Sequence, residues 1–204
     1  MDAAEYIKNA MRTLGGEKSE VVARFADNFD TQIYHASLVI TEIAELFELA
    51  APSAPSLDRV HFLEECGDIL WYLAIADGRM GWNGRTMEYR PGTARRIDDA
   101  KLAASILARA ASMTRLAGGI IDMFDKKFMF YGKPFDFEKI AALMQGINQE
   151  VGDLLVEAGF TIEQARRANI DKLRRRYAEK WTASEAMERD TAGELSAVAD
   201  AIKK

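Results

Sequence analysis

Four carboxylates fall at a spacing that suits a hard cation. Glu42 and Glu45 are three residues apart, and Glu65 and Asp68 repeat that spacing. Residues three apart share one face of a helix. Each pair sits inside an apolar pattern, Leu38, Val39, Ile43, Leu46 and Phe47 around the first and Phe62, Leu63, Ile69, Leu70 and Leu73 around the second. The stretch between them holds Pro52 and Pro55 and reads as a short loop, so the two helices should pack antiparallel. All four carboxylates would then meet on one patch. Neither helix carries Lys or Arg at the turns beside them, so the acids repel one another and a cation is expected between them. Oxygen ligands suit Mg2+, or Mn2+, better than zinc. The competing reading of either pair alone is a solvated acidic face. A di-iron carboxylate site would need Glu-x-x-His pairs, and neither His35 nor His61 follows a Glu by three.

The elements that must position these acids are helical. With 204 residues, four prolines and frequent Ala, Leu, Glu, Arg and Met, the chain is expected to be all-α with a sizeable core. Helices are expected over residues 2–14 and 18–29, then from a cap at Asp30 or Thr31 through the first acid pair. The second pair's helix should start from Ser56 or Asp58 and end near Gly81 and Gly84. After a polar stretch, 85–93, a helical pattern runs over 94–129, with Gly118-Gly119 as its one candidate break. Helices over 135–158, from a Thr161 cap to Tyr177 or Trp181, and over 184–202 complete the chain.

The net charge of −5 argues against general nucleic-acid binding. Cys66 is the only cysteine, so no intrachain disulfide is possible, which suits a reducing compartment. No signal-peptide pattern and no membrane-spanning apolar run is present. A cytoplasmic protein is therefore expected.

The sequence reads as a worn duplication, units 1–90 and 91–204. Glu65-Cys66-Gly67-Asp68-Ile69-Leu70 returns as Glu150-Val151-Gly152-Asp153-Leu154-Leu155, while Leu116 and Gly119 stand where the first unit has Glu42 and Glu45. Glu150 and Asp153, without that second pair, are not expected to hold a catalytic ion.

Glu-x-x-Glu, a spacer and Glu-x-x-Asp, with the run from Leu63 to Ala74, resemble the signature of the MazG-like superfamily of all-α nucleoside triphosphate pyrophosphohydrolases. The second unit carries two further similar segments, from Asp125 through Phe130-Tyr131-Gly132-Lys133-Pro134 and from Ala168 to Tyr177. The resemblance implies a MazG-like helical bundle whose two hairpins pack as a pseudo-dimer. It also implies Mg2+-dependent hydrolysis of a nucleoside or deoxynucleoside triphosphate to monophosphate and pyrophosphate. Glu42, Glu45, Glu65 and Asp68 would be the metal ligands and the catalytic set. For substrate, the candidates are His35, Glu48 and Tyr72 on the acid face, Lys126 and Lys133 near the loop, and Asn169, Lys172 and Arg176 on one helix face. Each has a plainer alternative. His35 and Tyr72 also suit helix packing, Glu48, Lys126 and Lys133 a solvated surface, and Lys172 and Arg176 the negative end of their helix. A homodimer is the expected assembly. The alternative function is a non-catalytic nucleotide- or protein-binding helical protein on the same scaffold.

Overall fold

The computed structural model describes residue 23 and residues 35–51, 57–177 and 190–202. The expected helices over 2–14 and 18–29, the caps at Asp30 or Thr31 and at Ser56, the prolines of the first loop, Trp181 and residues 184–189 lie outside them, as does the side chain of His35.

The described residues are helical and contain no strand. Six α-helices are seen: α1 (His35–Leu49), α2 (Arg59–Arg79), α3 (Asp99–Ile121), α4 (Phe137–Ala158), α5 (Ile162–Arg176) and α6 (Thr191–Ile202). Local chemistry sets most of their ends. Asp58 caps α2 by accepting from the Val60 and His61 amides, and Asp98 and Asp136 do the same for α3 and α4. Thr161 and Gln164 form a capping box at α5, and Gly159 closes α4 in the left-handed conformation.

Two hairpins, α1–α2 and α3–α4, make the four-helix centre. α1 packs on α3, α2 on α4, and α5 with α6 covers the remaining flank of α2. Arg59, at the start of α2, donates to the Ala158 carbonyl at the end of α4 (2.7 Å). Arg85, beyond the other end of α2, pairs with Glu138 at the start of α4, so these two helices run antiparallel. α2 is therefore walled by α1, α4, α5 and α6, and Phe62, Leu63, Cys66, Ile69 and Leu73 are wholly buried along it. A helix with polar groups inside such a wall must place each where another helix can answer it.

The polar stretch 85–93 is not a loose connection. It forms a strap along α4, with Asn148 donating to the Glu88 carbonyl (3.0 Å), Tyr89 to Asp153 (3.0 Å) and Gln149 to the Arg90 carbonyl (2.9 Å). Buried Asp77 ties the strap's start, accepting from the Gly84 amide (2.6 Å) and from the Thr86 amide and hydroxyl (2.9 and 2.7 Å). The long second-half helix also differs from expectation. It begins at Asp99 and passes through Gly118-Gly119 unbroken. The change comes at Asp122–Phe130, which winds as a π-helix. The wider winding brings residues five apart into register, Met123 with Phe128 and Phe124 with Met129, and all four are buried.

Two glycines make opposite predictions. A methyl group on Gly152 would lie 2.2 Å from the Tyr89 ring, whereas one on Gly118 would meet nothing within 4 Å. Gly152→Ala is expected to cost about 1–3 kcal/mol by displacing the strap. Gly118→Ala should add roughly 0.5–1 kcal/mol through helix propensity. Urea denaturation midpoints measure both, and equal shifts would show that the strap does not bear on Gly152.

Candidate metal centre

α1 and α2 bring three of the four predicted acids together. Ligand oxygens of Glu42, Glu45 and Glu65 all lie within 4.8 Å of one another. Glu45 is exposed, Glu42 half-buried and Glu65 buried, so the cluster opens from the core to the surface. Glu65 Oε2 is fully enclosed and has no hydrogen-bond partner. A carboxylate oxygen in that position is costly unless a proton or a cation meets it.

The electrostatics follow from this crowding. Burial, and then the charges of Asp68, Glu45, Glu64 and Glu42, push Glu65 up from 4.5 to about 8. Burial also raises Glu42, with Asp68 and Glu45 adding to it. The Thr41 hydroxyl works the other way. It lies 2.7 Å from Glu42 Oε1 and 2.8 Å from the Leu38 carbonyl, and its one proton serves either.

Asp68 adjoins the cluster but has partners of its own. Asn169 Nδ2 donates to Oδ1 (2.5 Å) and Lys172 Nζ to Oδ2 (2.5 Å), with Lys172 also 3.2 Å from Glu64 Oε1. The expectation that no base enters the acid patch is thus corrected. Lys172 does, from α5, a helix distant in sequence. Its side chain is 1% exposed, so it faces Asp68 and Glu64 rather than open solvent where a phosphate could reach it. Desolvation still outweighs the lysine and leaves Asp68 above the ordinary carboxylate range. Gly67 permits this arrangement. Its position for a Cβ is 3.0 Å from the Asn169 Cβ and 3.2 Å from the Ala165 carbonyl, so α5 rests directly on the α2 backbone.

The other predicted residues separate. Arg176 shares the Asn169–Lys172 face, but both arms of its guanidinium go to Glu194 of α6, Nε at 2.9 Å. Lys126 sits 3.7 Å from Asp122 in the π-helix, and Lys133 lies over the Tyr131 ring at 5.9 Å. Neither is paired with the four acids. Glu48 is exposed one turn beyond Glu45, and Tyr72 is half-buried with its ring edge-on to Trp71. Trp71 lines a small apolar cleft between α2 and α5 with Gly67, Leu70, Asn169 and Ile170.

The second half turned out to hold a polar centre of its own. Glu150, Asp153 and Glu157 of α4 face Arg109 of α3, with Ser105 and Ser112 a turn to either side. Sequence reasoning missed Arg109, although Ser105, Arg109 and Ser112 at spacings of four and three mark one polar stripe on the helix. Where Glu42 and Glu45 have their counterparts, the second half packs apolar groups. Leu116 sits over Gly146, and Leu143 over Gly119.

Comparison with family models, with curated proteins and with solved structures found no match. The geometry carries the functional reading.

A raised acid destabilises the fold once it ionises. Below the unfolded value of 4.5 Glu65 is neutral in both states, and stability is lost as pH climbs from there to about 8. A divalent cation held there would replace the proton, so Mg2+ or Mn2+ should then raise Tm more above pH 8 than near pH 5. Glu65→Gln should flatten both dependences. Calorimetric melts across pH check this, and a Tm indifferent to divalent ions at high pH would refute the assignment.

Proposed function

We propose that the chain is a metal-dependent nucleoside triphosphate pyrophosphohydrolase of MazG-like type, with Glu42, Glu45 and Glu65 holding Mg2+ or Mn2+. The observation that carries this reading is the meeting of three carboxylates, Glu42, Glu45 and Glu65, of which Glu65 has a buried oxygen with no hydrogen-bond partner. The donor set fits a hard divalent ion, which takes carboxylate oxygens at about 2.0–2.1 Å in the case of Mg2+. Such an ion supplies charge neutralisation for the phosphates and polarises the α-phosphorus.

The chain's own residues do the rest. Lys172 and Asn169 fix the orientation of Asp68 at the edge of the cluster, which makes them positioning residues rather than phosphate ligands. Glu48 is the candidate for orienting the attacking water. Water oxygen bonds to the α-phosphorus and gives up a proton to solvent, the bond to the bridging oxygen breaks, and pyrophosphate leaves a nucleoside monophosphate behind. Trp71, at the apolar cleft beside Asn169, is the candidate contact for a base. Two packed hairpins, one with a Glu-x-x-Glu pair and one without, form a pseudo-dimer in a single chain, and that chain pairs into a homodimer.

Incubation of the pure protein with canonical ribo- and deoxynucleotides plus Mg2+, with the phosphate product identified, tests the reaction. Pyrophosphate is expected, and binding of a nucleotide without turnover would favour the non-catalytic alternative.

The two halves should respond differently to loss of one charge. Glu45→Gln keeps side-chain size and should lower turnover by roughly two orders of magnitude or more, because several kcal/mol of ion-dependent stabilisation is lost. Asp153→Asn keeps an acceptor for Tyr89 and should leave most activity. Equal losses in two variants with intact melting curves would show that both motifs serve the reaction. Light scattering at micromolar concentration checks the dimer, and a monomer would overturn it.

A further inference from the structure

The second half repeats the Glu-x-Gly-Asp segment of the first with the opposite polar outcome. All six carboxylate oxygens of Glu150, Asp153 and Glu157 accept a hydrogen bond. Arg109 Nη1 reaches Glu150 Oε2 (2.6 Å) and Asp153 Oδ2 (3.2 Å), and Nη2 reaches Glu157 Oε1 (2.8 Å). The remaining oxygens take Ser112 at Glu150 Oε1 (2.8 Å), Ser105 at Glu157 Oε2 (2.5 Å), and Tyr89 and Gln149 at Asp153 Oδ1 (3.0 and 3.3 Å). In the first half, by contrast, Glu65 Oε2 has nothing.

The three acids occupy two turns of one helix face, 12–24% exposed, where their mutual repulsion is weakly screened. A single guanidinium meets all three because its donors are fixed in a planar fork, which a flexible ammonium cannot imitate. Burial opposes the charge on Arg109, but the hydrogen bonds to Glu157 and Glu150 outweigh it and hold the group above its ordinary value.

We propose that Arg109 is the resident cation of the second half, a tethered charge that does for Glu150, Asp153 and Glu157 what a bound ion would do and so makes that half independent of divalent ions. Together with the ion proposed at Glu42, Glu45 and Glu65, this leaves one ion-responsive carboxylate centre among the described residues, not two. The role of Arg109 itself stands on the second half and holds whether or not the chain hydrolyses nucleotides.

The test uses full-length protein carrying Glu42→Gln, Glu45→Gln and Glu65→Gln, which removes the first cluster, so any response to ions belongs to the second half. Melting curves are recorded with EDTA and with millimolar Mn2+. With Arg109 intact, Mn2+ should leave Tm unchanged. Arg109→Ala should lower Tm in EDTA by several degrees, and Mn2+ should restore part of the loss. Arg109→Lys should fall between them without Mn2+. A Tm that does not drop in Arg109→Ala, or that drops and ignores Mn2+, would overturn the proposal. If Arg109→Ala does not fold, Glu150→Gln and Glu157→Gln are added to it. Recovery of a cooperative melt shows that unbalanced charge was the fault, as proposed. Continued failure assigns Arg109 a packing role instead and ends the idea.

Discussion

Negative charge on the buried faces of α2 and α4 is the constraint from which most of the structure follows. A carboxylate inside a helical wall must find a proton, a donor or a cation, because its solvation is lost and its neighbours repel it. Each half meets this requirement with a group from another element. For Asp68 the group is Lys172, reaching over from α5. For Asp153 it is Arg109 on α3, with Tyr89 on the strap. These contacts settle which helices lie against α2 and α4 and how closely, since hydrogen-bond distances leave about half an ångström of freedom.

Glycine makes the close approach possible at equivalent places. Gly67 and Gly152 each precede the aspartate by one residue. Over Gly67 lies Asn169, whose amide bonds Asp68, and over Gly152 lies Tyr89, whose hydroxyl bonds Asp153. The same backbone device thus brings a neutral donor to the same aspartate oxygen position in both halves. The donor comes from a helix in one case and from an extended strap in the other. The repeated Glu-x-Gly-Asp is therefore a packing unit as much as a chemical one. Its presence in the second half, where Leu116 and Gly119 pack against α4 in place of acids, is accounted for by packing.

Helices and caps were legible in the sequence because their determinants are local. Asp58, Thr161 and Gly159 act within a few residues of themselves, and the apolar periodicity around Glu42 and Glu65 fixed which face the acids share. The all-α class and the meeting of Glu42, Glu45 and Glu65 followed from that. Long-range polar contacts were not legible. In the sequence Lys172 reads as a substrate contact or as one of several basic residues near the end of a helix, and only the docking of α5 on Gly67 turns it inward to Asp68 and Glu64. The same holds for Arg176, whose partner Glu194 lies on α6. The π-helix at Asp122–Phe130 was hidden for another reason. Its buried residues, Met123, Phe124, Phe128 and Met129, pair five apart, which a helical period of 3.6 does not reveal.

The contrast between the two basic side chains explains why the two groups of acids differ in their polar partners. Lys172 offers a point charge that is used up by two carboxylates on one flank of α2, Glu64 and Asp68. Glu42 and Glu45 come from α1, and no basic side chain is paired with them or with Glu65 among the described residues. Charge balance there is left to protons and ions from solution, which is why the Glu65 oxygen stands unpartnered and its carboxyl holds a proton up to about pH 8. In the second half the acids all lie on α4, and one planar fork from α3 spans them. A site whose acids come from two helices is harder for one side chain to close than a site on one helix. With its carboxylates divided between α1 and α2, the first half leaves one Glu65 oxygen without a donor.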